Sequence, residues 1–214
     1  MGEKPPYEDK HETHSICAEC QVKYFPNISQ EKSTMVIRTS EKYDKAVEHL
    51  GYHSVSLSED EAASLESVIP TDIEIINDSQ QRLRETKDIP DDQLSPAQLG
   101  HLNLARAIAR EVGCVPPAGI HGAVIPPASD RVRTAGLYGT KTGALYLSVD
   151  MLSKGRDAFD TLVHELGHHQ QYTSSGEAED LTPSHAAAMT DIAEKLIHGL
   201  NAGEYDKLLV NAQY

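Results

Sequence analysis

The sequence predicts an α+β protein with one larger domain and a small N-terminal α/β appendage. Two patterns predict the larger domain. Apolar residues recur at helical spacing after Ser95, and between residues 119 and 149 they change to the period of two that is typical of strands. Of the 214 residues, 39% are hydrophobic and 24% are charged, which is ordinary usage for a chain that buries a core.

The composition argues against several classes of partner. With 19 Lys and Arg against 33 Asp and Glu, the net charge is −14, and such a surface repels phosphate backbones and anionic lipid headgroups. A nucleic-acid partner is therefore not expected. No apolar stretch reaches the roughly 18 residues of a membrane-spanning helix, so no membrane association is expected either. Residues 1–12 lack the basic and apolar regions of a secretion signal, which predicts a cytoplasmic location.

The first 94 residues are predicted to form a leader, a small module and a linker. Residues 1–16 carry charged residues, prolines and histidines without apolar periodicity, which is typical of disorder. The module and its linker occupy residues 17–94. The polar segment 77–94 is the predicted linker, and the larger domain is expected to cover residues 95–214.

Caps and short apolar runs predict the elements of the small module. Ser58 and Glu61 have the spacing of a capping box, in which each side chain satisfies a free backbone N–H of the other residue, so a helix is expected to begin there. The other predicted elements are a strand at 35–37, a helix at 40–50 and a strand at 73–76.

The larger domain begins with a strong helix signal. Ser95 is a predicted N-cap, Pro96 fits the first helical position, and Gln98 completes a capping box, while Gly113 ends the helix. Antiparallel strands are then predicted at 123–125 and 145–149, with a hairpin loop at 139–143, and two helices follow.

The first of these two helices carries the sequence His164-Glu165-Leu166-Gly167-His168, an H-E-x-x-H motif. Residues four apart lie on one face of a helix, so His164 and His168 can bind one Zn²⁺ at about 2.0–2.1 Å. Glu165 lies beside them and can act as the general base for a water that attacks a polarised carbonyl. The motif therefore predicts a zinc metallopeptidase with Glu165 as its catalytic residue.

A catalytic zinc needs a third protein ligand and keeps its fourth position for water. His185 is the first candidate, because Thr182 is a plausible N-cap and Pro183 a plausible first helical residue, which places His185 in the first turn of the next helix. The alternatives are three glutamates: Glu177, Glu179 and Glu194.

A second group of candidate zinc ligands lies in the N-terminal part of the sequence. Cys17 and Cys20 form a C-x-x-C pair, and His49 and His53 follow at a spacing that a structural Cys₂His₂ site can use. Another completion would use His11 and His14. The alternative to any zinc site is a reduced cysteine pair without metal, since 28 residues separate Cys20 from His49, where a common zinc finger has about 12.

The strand-like residues 143–152 and the helix at 161–169 together resemble the active-site region of minimal zincin metallopeptidases, the SprT-like and ImmA/IrrE-like groups. The likeness covers roughly residues 96–200. It implies a zincin-like domain that hydrolyses peptide bonds. Because SprT-like proteins carry a third zinc-binding histidine at the start of a helix soon after the motif, it also implies that Pro183-Ser184-His185 supplies this ligand.

The expected function is therefore zinc-dependent hydrolysis of a polypeptide substrate. The sequence leaves two alternatives open. One is a zinc-binding regulatory or interaction protein that has a zincin fold but no proteolytic activity. The other is a SprT-like protease that acts on DNA-associated proteins, against which the net charge of −14 argues.

Overall fold

The computed structural model describes residues 34–180 and 182–203. It is a mixed α+β structure in which the chain divides into two compact units, Met1–Glu74 and Ile75–Tyr214. The predicted leader and the Cys17 and Cys20 pair lie outside the described residues. Among the described helices, none combines the length and the apolar composition needed to cross a membrane.

The first unit contains two short strands and their helical connections. Its elements are β1 (Met35–Ile37), a 3-10 turn (Glu41–Tyr43), α1 (Asp44–His49), β2 (His53–Val55) and α2 (Glu59–Leu65). β1 and β2 pair in parallel, and Val36 of β1 and Val47 of α1 are fully buried. The strand predicted at 35–37 is confirmed, as is the capping box of Ser58 and Glu61.

The prediction of a strand at 73–76 is wrong, because these residues belong to the helix α3 (Asp72–Leu83). A second capping box explains the difference. Thr71 accepts a hydrogen bond from the backbone N–H of Glu74, and the Glu74 carboxylate accepts one from the backbone N–H of Thr71. The capping box therefore favours the helix more strongly than the β-propensity of Ile73, Ile75 and Ile76 favours a strand.

The residues predicted as a linker, 77–94, have regular structure for much of their length. They contain the rest of α3, the strand β3 (Lys87–Ile89) and a 3-10 turn (Asp91–Gln93). Since β3 pairs with a strand of the second unit, at least this part of the segment belongs to that unit's sheet. The polar composition reflects the exposed side of these elements.

The second unit is built on a four-stranded sheet in the order β3-β4-β6-β5. Its further elements are α4 (Pro96–Glu111), β4 (Ile120–Val124), β5 (Gly136–Gly139), β6 (Ala144–Ser148), α5 (Val149–Leu152), α6 (Arg156–Ser175) and α7 (Pro183–Asn201).

The predicted hairpin between β5 and β6 is confirmed. β4 and β6 are parallel, however, with Ile120 opposite Leu145, which corrects the prediction of an antiparallel arrangement. The reason is topological: β5 occupies the edge of the sheet, and the hairpin returns β6 to the position beside β4.

The core of the second unit fixes the orientation of α6. Leu162 and Leu166 of this helix are buried with Leu102 of α4 and with Leu145 and Leu147 of β6, and each of the five is at most 1% exposed. Since one stripe of α6 is buried in this way, the remaining faces of the helix carry the polar residues of the motif toward β5 and α7, both of which contact α6.

Candidate metal centre

The motif residues lie in the middle of α6, as predicted. His164 and His168 are one helical turn apart, and their Nε2 atoms are separated by 3.2 Å. His168 is nearly buried at 9% exposure, while the side chain of His164 is 35% exposed. The helix thus presents two imidazoles together at the edge of the core.

α7 brings His185 to the same place. The predicted cap is confirmed, since the Thr182 hydroxyl accepts a hydrogen bond from the backbone N–H of His185. The ring of His185 stacks on that of His168 with 4.1 Å between centroids, and its Nε2 lies 3.3 Å from the carbonyl oxygen of His164. When Nε2–H donates to this carbonyl, Nδ1 of His185 holds the free lone pair.

Gly167 makes this approach of the two helices possible. A Cβ at position 167 would lie 2.7 Å from Cγ of Met189 and 3.0 Å from Nε2 of His185. Both atoms belong to α7, so any larger residue in this place would push against the helix that carries the third histidine. The glycine inside the motif is therefore a packing requirement of the site.

The structure adds one residue that sequence reasoning missed. Asp180, between α6 and α7, has its Oδ1 3.0 Å from Nε2 of His164 and 3.2 Å from Nε2 of His168. Potential ligand atoms of His164, His168, Asp180 and His185 all lie within 4.8 Å of one another, a grouping that could hold a metal ion. Glu177, Glu179 and Glu194, the predicted alternatives to His185, are exposed and are not in this group.

Three of the four potential ligand atoms, those of His164, His168 and Asp180, have the spacing of ligands around a tetrahedral ion. Ligand atoms at about 2.0–2.1 Å from a tetrahedral Zn²⁺ are about 3.3 Å apart, and the three contacts among Oδ1 of Asp180 and the two Nε2 atoms measure 3.0, 3.2 and 3.2 Å. Imidazole nitrogens and carboxylate oxygens are also the ligands that zinc takes in catalytic sites.

The charges of the four groups are strongly coupled. The hydrogen bond that His164 donates to the Asp180 carboxylate raises the pKa of His164. The hydrogen bonds that Asp180 accepts from His164 and His168 hold the pKa of its carboxyl far below the usual range. Burial lowers the pKa of His185, which favours the neutral imidazole that a metal requires.

Glu165 is held apart from the ligand group but next to it. It is 7% exposed, and its carboxylate accepts a hydrogen bond from the backbone N–H of Tyr138 on β5. A Cβ at Gly136 would lie 2.7 Å from Cγ of Glu165, so β5 can pass this close only with a glycine there. Burial raises the pKa of Glu165 to about 6, which is close to neutral for a carboxylic acid.

A buried amide ties α6 to the beginning of α7. Gln171, only 1% exposed, donates from Nε2 to the hydroxyls of Thr182 at 2.9 Å and Ser184 at 3.0 Å. Because Thr182 caps the helix and His185 lies in its first turn, these two hydrogen bonds fix the position of His185 relative to the motif.

Of the four residues of the predicted second zinc site, the structure describes the two histidines. His49 ends α1, and His53 begins β2 after the helix has stopped, so the two do not share a helix face. Both are exposed. Their proposed partners, Cys17 and Cys20, lie outside the described residues.

The chain matches no protein-family model, and it has no match among the curated proteins or the solved structures. The functional argument therefore depends on the geometry of this site and on the residues of the motif.

Proposed function

We propose that this protein is a zinc-dependent peptidase. The observation that carries the proposal is the position of Glu165: a buried carboxylate immediately beside a cluster of three histidines, fixed by the backbone N–H of Tyr138. A structural metal site has no need for a buried, unligated carboxylate next to its ligands. A hydrolytic site needs one, because an attacking water must lose a proton.

His164, His168 and His185 are the proposed protein ligands. A zinc ion held by them would supply a Lewis acid, which polarises the scissile carbonyl and makes a water molecule easier to deprotonate. Glu165 takes the proton from that water and then delivers it to the departing amine. The burial of Glu165 raises its pKa above that of an exposed carboxyl, which makes the carboxylate a better proton acceptor.

The sheet offers a place for an extended substrate. β5 lies at one edge of the four-stranded sheet and pairs only with β6 in the ladder of the described residues. It also contacts α6 beside Glu165. A polypeptide segment that aligned along this edge would be held by main-chain hydrogen bonds close to the general base, which supports a protein or peptide substrate.

The test compares wild type with Glu165→Gln on an unfolded, fluorescently labelled polypeptide, with bound zinc measured for both. We expect Glu165→Gln to retain one zinc at the histidine site and to lose cleavage by about 10²–10⁴-fold, because general base catalysis is removed and the ligands are not. Glu111→Gln, an exposed carboxylate at the end of α4, is the matched control and should cleave like wild type. Cleavage by Glu165→Gln at the wild-type rate would show that the proposed role of Glu165 is wrong.

A second candidate function is a zinc-binding interaction protein without proteolytic activity. One observation favours it: Asp180 joins the three histidines and makes a possible four-ligand set, which in structural zinc sites leaves no position for water. Stoichiometric zinc with no cleavage of either native or unfolded polypeptides by wild type would support this function.

A further inference from the structure

We propose that Asp180 is a displaceable fourth ligand, which occupies the position that a catalytic metal keeps for water and so holds the peptidase in a latent state. The inference rests on the proposed metal site formed by His164, His168 and His185. It assigns to this site a regulatory residue and two states: one closed by the Asp180 carboxylate and one open to water and substrate.

The first argument is which imidazole atoms Asp180 contacts. A carboxylate that only orients a ligand histidine accepts a hydrogen bond from the ring nitrogen that points away from the metal. Asp180 instead approaches Nε2 of both His164 and His168, which are the two atoms that face each other. Its Oδ1 completes a nearly equilateral triangle with them, so it lies on the side where a shared ion would be bound.

The other nitrogen of His168 supports the same interpretation. Nδ1 of His168 is buried and has no hydrogen-bond partner among the residues that the structure describes. An orienting carboxylate would have been expected there, where it would also satisfy a buried polar atom. Asp180 lies at Nε2 instead, and this placement is typical of a ligand.

The second argument is that Asp180 and His185 are anchored differently. His185 is 4% exposed, stacks on His168 and follows the cap that Gln171 holds. Asp180 precedes that cap, in the irregular segment 177–180, and its side chain is 33% exposed. The carboxylate can therefore leave the group by a local change in 177–180 while the three histidines stay in place.

The third argument is the position of Glu165. A site closed permanently by four ligands gains nothing from a buried carboxylate that is not itself a ligand, whereas an open site can use that carboxylate as a general base. A set of four ligands and a buried general base are compatible if the Asp180 carboxylate leaves the site. Water or the carbonyl oxygen of a polypeptide then takes the position of Asp180, within reach of Glu165.

The experiment uses the full chain with Asp180→Ala and Asp180→Asn, and Asp191→Asn as the matched control. Asp191 belongs to α7, and its carboxylate accepts hydrogen bonds from Gln170 of α6 and Lys195 of α7, so its loss weakens the helix pair without touching the histidines. Three properties are measured: the visible absorption of the Co²⁺-loaded protein, zinc affinity by competition with a chelator, and cleavage of a labelled unfolded polypeptide.

We expect both Asp180 variants to change the Co²⁺ spectrum, because an oxygen of water replaces the carboxylate. We also expect them to weaken zinc binding by at least 10-fold and to raise cleavage by 10-fold or more. Asp191→Asn should match wild type in all three measurements. Circular dichroism checks that each variant is folded, and Asp180→Asn keeps the size of the side chain in case Asp180→Ala disturbs the segment.

Three results separate the parts of the proposal. An unchanged Co²⁺ spectrum and zinc affinity in both Asp180 variants would show that Asp180 is not a ligand and would overturn the inference. Altered spectrum and affinity together with reduced cleavage would make Asp180 a permanent ligand and would overturn its displaceable role. An altered spectrum with no cleavage by any variant, wild type included, would support the ligand assignment while refuting the proposed peptidase activity.

Discussion

The replacement Gly167→Ala tests whether α6 and α7 must approach closely for His185 to take part in the site. Gly167 and Gly100 are both interior helix glycines, in α6 and α4, so the same substitution can be made in two different surroundings. A Cβ at Gly100 would meet nothing within 4 Å, whereas at Gly167 it would meet Met189 and His185.

The expected magnitudes follow from these contacts. Replacement of a helical glycine by alanine gains about 0.5–1 kcal/mol in the free energy of unfolding, and Gly100→Ala should show this gain. At Gly167 the same gain is opposed by overpacking, which costs about 1–3 kcal/mol. Met189 can change its rotamer to relieve the 2.7 Å contact, but Nε2 of His185, at 3.0 Å, belongs to a ring held by a helix cap and by stacking. We expect Gly167→Ala to be destabilised by up to about 2 kcal/mol and to bind zinc about 10–100-fold more weakly.

The assay is urea unfolding of the metal-free protein, followed by zinc competition on the folded protein. Gly100→Ala should unfold at a higher urea concentration than wild type and should bind zinc equally well. The reasoning is refuted if Gly167→Ala gains the same stability as Gly100→Ala and keeps wild-type zinc affinity, because His185 would then not depend on the absence of a side chain at 167.

Two further predictions concern buried polar groups near the site. Gln171→Ala should lower the free energy of unfolding by about 1–3 kcal/mol and weaken zinc binding about 10-fold, since two partly buried hydrogen bonds of a buried amide are lost. Gln170→Ala, at the half-buried neighbouring position, should cost less than about 1 kcal/mol. Burial raises the pKa of Cys114 to about 11 from 9.0, so the unfolded chain releases the thiol proton first as pH rises. Between pH 9 and 11 the free energy of unfolding of the metal-free wild type should therefore fall relative to that of Cys114→Ala, by up to about 1.4 kcal/mol per pH unit. Chemical unfolding at a series of pH values measures this difference, and parallel pH profiles for the two proteins would contradict the prediction.

The parts of the fold that could be predicted from sequence are those set by nearby residues. The caps at Ser58, Ser95 and Thr182 each act within three or four positions, and each was predicted and is present. The same holds for the motif, because the helical repeat alone brings His164 and His168 to one face of α6.

The parts that could not be predicted depend on tertiary arrangement. The parallel pairing of β4 with β6 follows from β5 taking the edge of the sheet, which no local pattern encodes. No spacing relative to the motif marks Asp180 as a ligand, so the sequence does not predict it. The signal that could have found it is an aspartate in the short connection between two helices that both carry predicted ligands.

The two candidate functions differ in the free energy of one exchange, in which the Asp180 carboxylate is replaced by water. If the closed state is populated at 99%, the closed state is favoured by about 2.7 kcal/mol, and removal of the carboxylate raises the active fraction by at most about 100-fold. If the closed state is favoured by more than about 5 kcal/mol, wild type is indistinguishable from a structural zinc protein, and only the Asp180 variants reveal a peptidase. The ratio of cleavage rates between Asp180→Ala and wild type therefore measures the closed population, and Glu165→Gln in the Asp180→Ala background shows whether the opened site uses the buried carboxylate. If Asp180→Ala cleaves much faster than wild type and Glu165→Gln abolishes this cleavage, Asp180 keeps the site closed and Glu165 is the catalytic base.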